Sequence, residues 1–498
     1  MSRHVLTSRP NILCFVTDQQ RADHLGCYGN PDVQTPHIDA LAAEGVRFTH
    51  AYVANPLCMP NRASLFTGMY PKAHGVRENG IGLSPELPTL PEVLRQQGYH
   101  TASFGKLHLV PYSIKRHTPP APFEIYETPE YWQEHTDIPV PYYGFEQVYL
   151  TCGHGPYIFG HYKHEVGEEV HALLNIDRAA VTPSGVRESW KAAIPQSRHY
   201  NTLIADHTIE YLRTRDAEQP FFIWCSFPDP HHPYMPPAPY SEQYDPASIT
   251  FAPARRAGEL DDLPAYFRAS HEGQITTGGL EGGAQISDAD YREIFAHTYG
   301  MISMIDDQIG RVLAEIDRLG LRENTIVIFM SDHGDLMGDH WLINKGPYPF
   351  DGLLRVPLIW RVPSGKGGQV NESFVSAVDF VPTVLDAAGI SPYAGIQGRS
   401  YLQPALGEPV RHRDHVYIEY DCSYLPDRLR HIRSEAFALT FYERAEAGLL
   451  FDLRSDPREL HNRWGDPALT EVREELLRQL LRDSVEADSW LPLKKGHA

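Results

Sequence analysis

Short apolar runs alternate with helix-periodic segments over most of this chain, and that alternation limits the folds open to it more than any other feature. Strand-like runs fall at residues 11–16, 46–53, 101–104, 221–226 and 325–330, with helix-like segments at 36–45, 61–69, 90–97, 200–213 and 288–319. Such a sequence predicts an α/β fold: a large central, mostly parallel mixed sheet flanked by helices. In the last helix Ile294, Met301, Ile305, Ile309, Val312, Ile316 and Leu319 recur at helical spacing, the signature of a buried stripe. After about residue 408 the character changes. Runs at 415–420, 436–442 and 449–453 read as antiparallel strands, followed by a helix over 469–485. The reading is therefore a large α/β domain over 1–408 and a smaller α+β subdomain with an antiparallel sheet over 409–498, with no internal repeats.

Two stretches depart from the alternation. Residues 110–200 are rich in Pro, Tyr and His and are read as an insertion that builds a ligand pocket and an oligomer contact. Residues 252–285, with the run Gly-Gly-Leu-Glu-Gly-Gly at 278–283, are read as a flexible loop. The formal net charge of −20 argues against a nucleic-acid or anionic-membrane partner, so any anionic ligand needs a locally positive site. The six cysteines, at 14, 27, 58, 152, 225 and 422, have neither disulfide-scaffold nor zinc-ribbon spacing. No apolar run is long enough to span a membrane, and the first residues have no signal-peptide core, so a cytoplasmic location is expected.

The chemistry gathers where strands end. The pentapeptide Cys58-Met59-Pro60-Asn61-Arg62 runs straight into a helix-like stretch. A free thiol near pKa ~8.5 is mostly protonated at neutral pH, and a helix N-terminus with a nearby Arg would favour its anion. Asp18-Gln19 closes the strand at 11–16, and Asp332-His333 closes the strand at 325–330. Two carboxylates, an amide oxygen and an imidazole make a divalent-cation site. Gly105-Lys106-Leu107-His108 follows the strand at 101–104, and Asp229-Pro230-His231-His232-Pro233 follows the strand at 221–226. Asn344-Lys345-Gly346 lies shortly beyond His333.

Together these motifs resemble the sulfatase family of the alkaline-phosphatase-like superfamily, in order across residues 11–361. The phrase Phe-Asp-Leu-Arg-Ser-Asp-Pro-Arg-Glu-Leu-His-Asn at 451–462 resembles the family's C-terminal subdomain. The resemblance implies that Cys58 is oxidised to formylglycine (3-oxoalanine) by a formylglycine-generating enzyme during maturation. It also implies one divalent metal held by Asp18, Gln19, residue 58, Asp332 and His333. Many sulfatases carry Asp in place of Gln19 and Asn in place of His333. Calcium is the ion expected from the family, and the imidazole makes manganese the alternative.

Carried over in the same way, Arg62, Lys106 and Lys345 would neutralise charge on the ester. His231, or else His232, would protonate the leaving oxygen, His108 would exchange a proton near the nucleophile, and Asn79 would face the substrate. The expected activity is hydrolysis of a small-molecule sulfate ester. A phosphonate monoester hydrolase or phosphodiesterase of the same superfamily is the first alternative. A catalytically silent binding protein with unmodified Cys58 is the second. A Cys-based phosphatase is disfavoured, since its loop sets Cys and Arg further apart than here.

Overall fold

The computed structural model describes residues 9–113, 122–175, 189–275, 282–423, 427–489 and 491. Its centre is a nine-stranded sheet. In chain order the strands are β1 (Asn11–Thr17), β2 (Val46–Tyr52), β3 (His100–Gly105), β4 (Gln147–Cys152), β5 (Phe159–Gly160), β6 (Phe221–Ser226), β7 (Thr325–Ser331), β8 (Arg355–Arg361) and β9 (Gln369–Ser376). Across the sheet they run β5-β4-β3-β6-β1-β7-β8-β2-β9. β4, β3, β6, β1 and β7 are mutually parallel neighbours. β8 is antiparallel to both β7 and β2, which leaves the carboxyl end of β2 at the same edge as those five.

β1 shows why its sequence is apolar without a break from Ile12 to Val16. Ile12, Cys14 and Val16 enter the core on one face of the sheet with Ile326, Ile328 and Met330 of β7. Leu13 and Phe15 enter the core on the other face with Val327 and Phe329. A strand covered on both sides reads as a continuous run rather than an alternation. The long helix Asp288–Arg318 covers the second face through Ile302, Ile305, Ile309, Val312 and Ile316, and starts at a capping box between Ser287 and Asp290.

The smaller sheet is antiparallel in the order β10 (His415–Tyr420), β11 (Leu429–Ser434), β12 (Phe437–Tyr442), β13 (Leu449–Asp452), backed by the helix Thr470–Glu486. One face of it joins the large core through Val416, Ile418, Tyr420 and Phe451. At that junction Arg433 of β11 donates to Glu459 (2.5 Å) and to the Tyr52 hydroxyl (2.9 Å), and lies 3.2 Å from Asp351, which also accepts from Arg355 (2.6 Å).

Three features differ from the sequence reading. The stretch 110–200 is not wholly outside the sheet: it supplies β4, β5 and the helix His161–Ala172. Pro, Tyr and His around these elements diluted the apolar signal. β11 and β9 are strands interrupted by polar residues (Arg430, His431 and Arg433 in one, Gln369, Asn371 and Glu372 in the other), so neither reads as an apolar run. The helix read at 61–69 begins at Cys58, with Pro60 accommodated in its first turn, where its missing N–H costs nothing. Most of the 278–283 glycine run, and residues 114–121 and 176–188 of the supposed insertion, lie outside the described residues. Among the described residues no helix is long and apolar enough to cross a membrane.

Candidate active site

Five adjacent parallel strands deliver polar side chains to one edge, where ligands of open α/β sheets collect. Register does much of the alignment. Thr17 pairs with Ser331, and the Asp332 N–H donates to the Thr17 carbonyl at 3.1 Å, so Asp18 and Asp332 lie side by side. Gly105 pairs with Ser226 so closely that a Cβ on it would meet the Ser226 carbonyl oxygen at 1.9 Å; only glycine permits the turn that launches Lys106. Cys58 arrives from the helix Cys58–Thr67 after β2, and Arg62, one turn further on, shares its face.

The side chains meet. Lys345 Nζ lies 3.0 Å from Cys58 Sγ, 3.0 Å from Gln19 Oε1, 2.8 Å from His231 Nε2 and 3.2 Å from His333 Nε2. Cys58 Sγ is 3.1 Å from His333 Nε2 and 3.9 Å from Asp18 Oδ1. Lys106 Nζ is ion-paired with Asp18. Arg62 is fully buried and directs its donors to Asp332 (2.7 Å), Asp18 (3.4 Å), the Lys106 carbonyl (3.1 Å) and Ser226 (3.2 Å). Asn79 Oδ1 accepts from the N–H of Met59, the residue after Cys58, at 3.1 Å. His232 Nδ1 sits 3.1 Å from the Gln19 amide nitrogen. His108 stands further out, stacked on Tyr112 at 3.9 Å and 6.3 Å from the His154 ring, with its backbone N–H held by Glu127 (2.9 Å).

Electrostatics follow from this crowding. Burial pushes the Cys58 thiol up, but Lys345 and Lys106 outweigh it and bring its pKa to about 7. Burial also opposes ionisation of Asp18 and Asp332, yet Lys106 and Arg62 hold both below the usual carboxylate range. Burial drives His108, His231 and His232 well below the ordinary histidine value, with neighbouring cations adding to it. The neutral His231 has a defined tautomer: Nδ1 faces the His232 carbonyl at 2.5 Å and donates to it, leaving the Nε2 lone pair to accept from Lys345.

The cluster fits a cation. One donor atom each from Asp18, Cys58, Asp332 and His333 lie within 4.8 Å of one another, all buried. His333 Nδ1 faces the Gly334 carbonyl at 2.9 Å, which fixes the tautomer and turns Nε2 inward, the arrangement of metal-bound histidines. Gln19, in left-handed backbone at φ 61°, aims Oε1 at the same space through its contact with Lys345.

Three contributors escaped the sequence reading. His154, just after β4, lies 2.5 Å from Lys106 Nζ and stacks on the His231 ring at 3.6 Å. It follows an apolar strand as Lys106 and His231 do, a signal obscured because its surroundings read as an insertion. Glu127 and Asp335 carry no motif; only the fold reveals what they hold.

A buried thiol at a helix start, ringed by cations and a cation-ligand set at the carboxyl edge of a mixed sheet, defines a site for polar chemistry on an anion. The chain belongs to the sulfatase family: the family model described as Sulfatase matches residues 10–390, and that described as N-sulphoglucosamine sulphohydrolase, C-terminal, matches 338–486. An arylsulfatase of Clostridium perfringens is 30% identical, over 91% of this chain and 90% of that protein. An N-acetylglucosamine-6-O-sulfatase of Bacteroides thetaiotaomicron is 26% identical, over 96% and 86%. The crystal structure of a phosphonate monoester hydrolase of Agrobacterium radiobacter superposes with a TM-score of 0.82 at 29% identity, covering 97% of each chain.

Proposed function

We propose that the protein hydrolyses small-molecule sulfate monoesters, releasing sulfate and an alcohol or phenol, with Cys58 matured to formylglycine and a divalent cation held by Asp18, Gln19, residue 58, Asp332 and His333. The observation that carries this reading is the meeting of Cys58, Lys345, His231 and the Lys106–Asp18 pair at one buried point. Residue 58, once oxidised to the aldehyde and hydrated, would supply an oxygen nucleophile whose bond to carbon can later be broken. A cation held there, calcium by family resemblance or manganese on account of the imidazole, would supply positive charge against the developing anion.

The remaining roles belong to the chain. Lys106, pinned by Asp18, directs hydrogen bonds at the non-bridging oxygens, where one such donor contributes about 3–4 kcal/mol. His231 holds its proton on Nδ1 against a carbonyl, so Nε2 is the atom that relays a proton from Lys345 to the leaving oxygen. Arg62 keeps both carboxylates ionised and in place. His154, stacked on His231 and bonded to Lys106, links the proton-relaying imidazole to the lysine that faces the non-bridging oxygens.

A second reading, phosphonate monoester hydrolysis, is favoured by the likeness to the Agrobacterium radiobacter enzyme and by the Gln19 and His333 pairing. The Gly105-Lys106-Leu107-His108 element favours sulfate. Turnover of an aryl sulfate against an aryl phosphonate monoester, on protein whose peptide mass proves the aldehyde at 58, tests the proposal. A preference for the phosphonate by several orders of magnitude overturns it.

A further inference from the structure

The segment between His333 and Lys345 has an unusual backbone. Met337, His340, Trp341 and Asn344 all have positive φ, between 45° and 65°, as does Gly338 at 100°. Non-glycine residues adopt this region only when their surroundings enforce it. One buried carboxylate, Asp335, does much of the enforcing. Its Oδ1 accepts the N–H groups of Met337 (3.0 Å) and Asn344 (2.9 Å), closing the loop that presents Lys345. Its Oδ2 faces elsewhere, accepting the Gln19 amide Nε2–H (2.6 Å) and the Tyr234 hydroxyl (2.9 Å).

The second oxygen matters because an amide has two unlike ends. An oxygen can ligate a hard cation and an NH2 cannot. We propose that Asp335 is a positioning residue that selects which end of Gln19 faces the cation site. Around Nε2 every neighbour can accept: Asp335 Oδ2, His232 Nδ1 at 3.1 Å and Asn344 Oδ1 at 3.4 Å. Facing Oε1 is a donor, the Lys345 ammonium at 3.0 Å. The carboxylate of Asp335 thus stands one layer behind the neutral amide, keeping the negative charge that Gln19 itself lacks near the cation while leaving the amide oxygen as the contact atom. The inference rests on the reading of Gln19 as a ligand.

The sharp test uses the loop's own geometry. In Asp335→Asn the two backbone N–H groups hold the new amide oxygen where Oδ1 was, so its NH2 must face Gln19. Donor then meets donor, Gln19 turns over, and NH2 points at the cation site. Mn2+ and, separately, Ca2+ are titrated calorimetrically into the full-length protein, with melting temperature recorded for each variant. Asp335→Asn is expected to weaken metal binding roughly 10–100-fold. The exchange Gln19→Glu with Asp335→Asn conserves charge and presents a carboxylate that accepts from the new NH2; it is expected to recover affinity to within a few-fold of the parent. A merely structural role for Asp335 would not be rescued by a change at position 19. The inference is overturned if Asp335→Asn binds metal like the parent while Gln19→Ala does not, or if the exchange is no better than Asp335→Asn alone. Unchanged affinity in Gln19→Ala overturns the ligand reading itself, and the inference with it.

Discussion

Two of the regions in which this molecule buries charge handle it differently. At the junction of the two sheets Arg433 and Arg355 meet Glu459 and Asp351, a near one-to-one matching of cations and carboxylates with the Tyr52 hydroxyl between them. At the sheet edge Arg62 and Lys106 are matched to Asp332 and Asp18, but the third cation, Lys345, directs its hydrogen bonds to a sulfur, an amide oxygen and imidazole nitrogens. The junction is arranged for closure. The edge gathers Lys345, Lys106 and Arg62 about the Cys58 thiol inside a chain whose formal charge is −20, the local cations that attraction of a small anion requires.

This contrast can be broken by experiment. The largest expected effect is Cys58→Ala, which should lower kcat by ~10^4-fold or more while the melting temperature holds; substantial residual turnover refutes the nucleophile. Next comes Arg433→Met. Leaving Glu459 without its guanidinium should cost about 3–5 kcal/mol in stability with kcat of the folded fraction unchanged; a fall in kcat instead would mean that the junction serves the site. Lys345→Ala should lower kcat ~10^2–10^3-fold with a smaller loss of stability than Arg433→Met, since its hydrogen bonds go to a sulfur, an amide oxygen and imidazole nitrogens; marked unfolding would erase the distinction between the regions.

The smallest effect concerns Glu127. Burial raises its pKa from 4.5 to about 7, against the pull of Tyr142 and the His108 and Leu109 N–H groups. The folded state therefore binds the extra proton, so this contribution is full below pH 4.5 and is lost as pH rises to about 7. Glu127→Gln should flatten that part of the melting-temperature profile, and an unchanged slope would exclude Glu127 as its source.

Much of this was legible in the sequence because the strands of an α/β sheet announce their own ends. Asp18, Lys106, His231 and Asp332 each follow a buried run, and the parallel register turns that shared position into proximity. His154 obeys the same rule, but β4 lies among prolines and tyrosines that hid it. Asp335 and Glu127 were illegible for a different reason: their partners are backbone N–H groups and an amide far along the chain, and no spacing encodes such a bond. The role of Arg62 shows the limit of motif reading. The pattern names the residue, while its orientation toward two carboxylates is a fact of packing.

Cys58 and His333, now 3.1 Å apart, are separated by 275 residues of chain, and in the finished fold Cys58 is only 1% exposed. At ordinary ribosomal speeds the intervening stretch takes about 14–55 s to emerge. During synthesis the thiol is reachable; once β7 slots beside β1, it is sealed. Any enzyme that must act on this side chain therefore has to reach it before the fold closes over it.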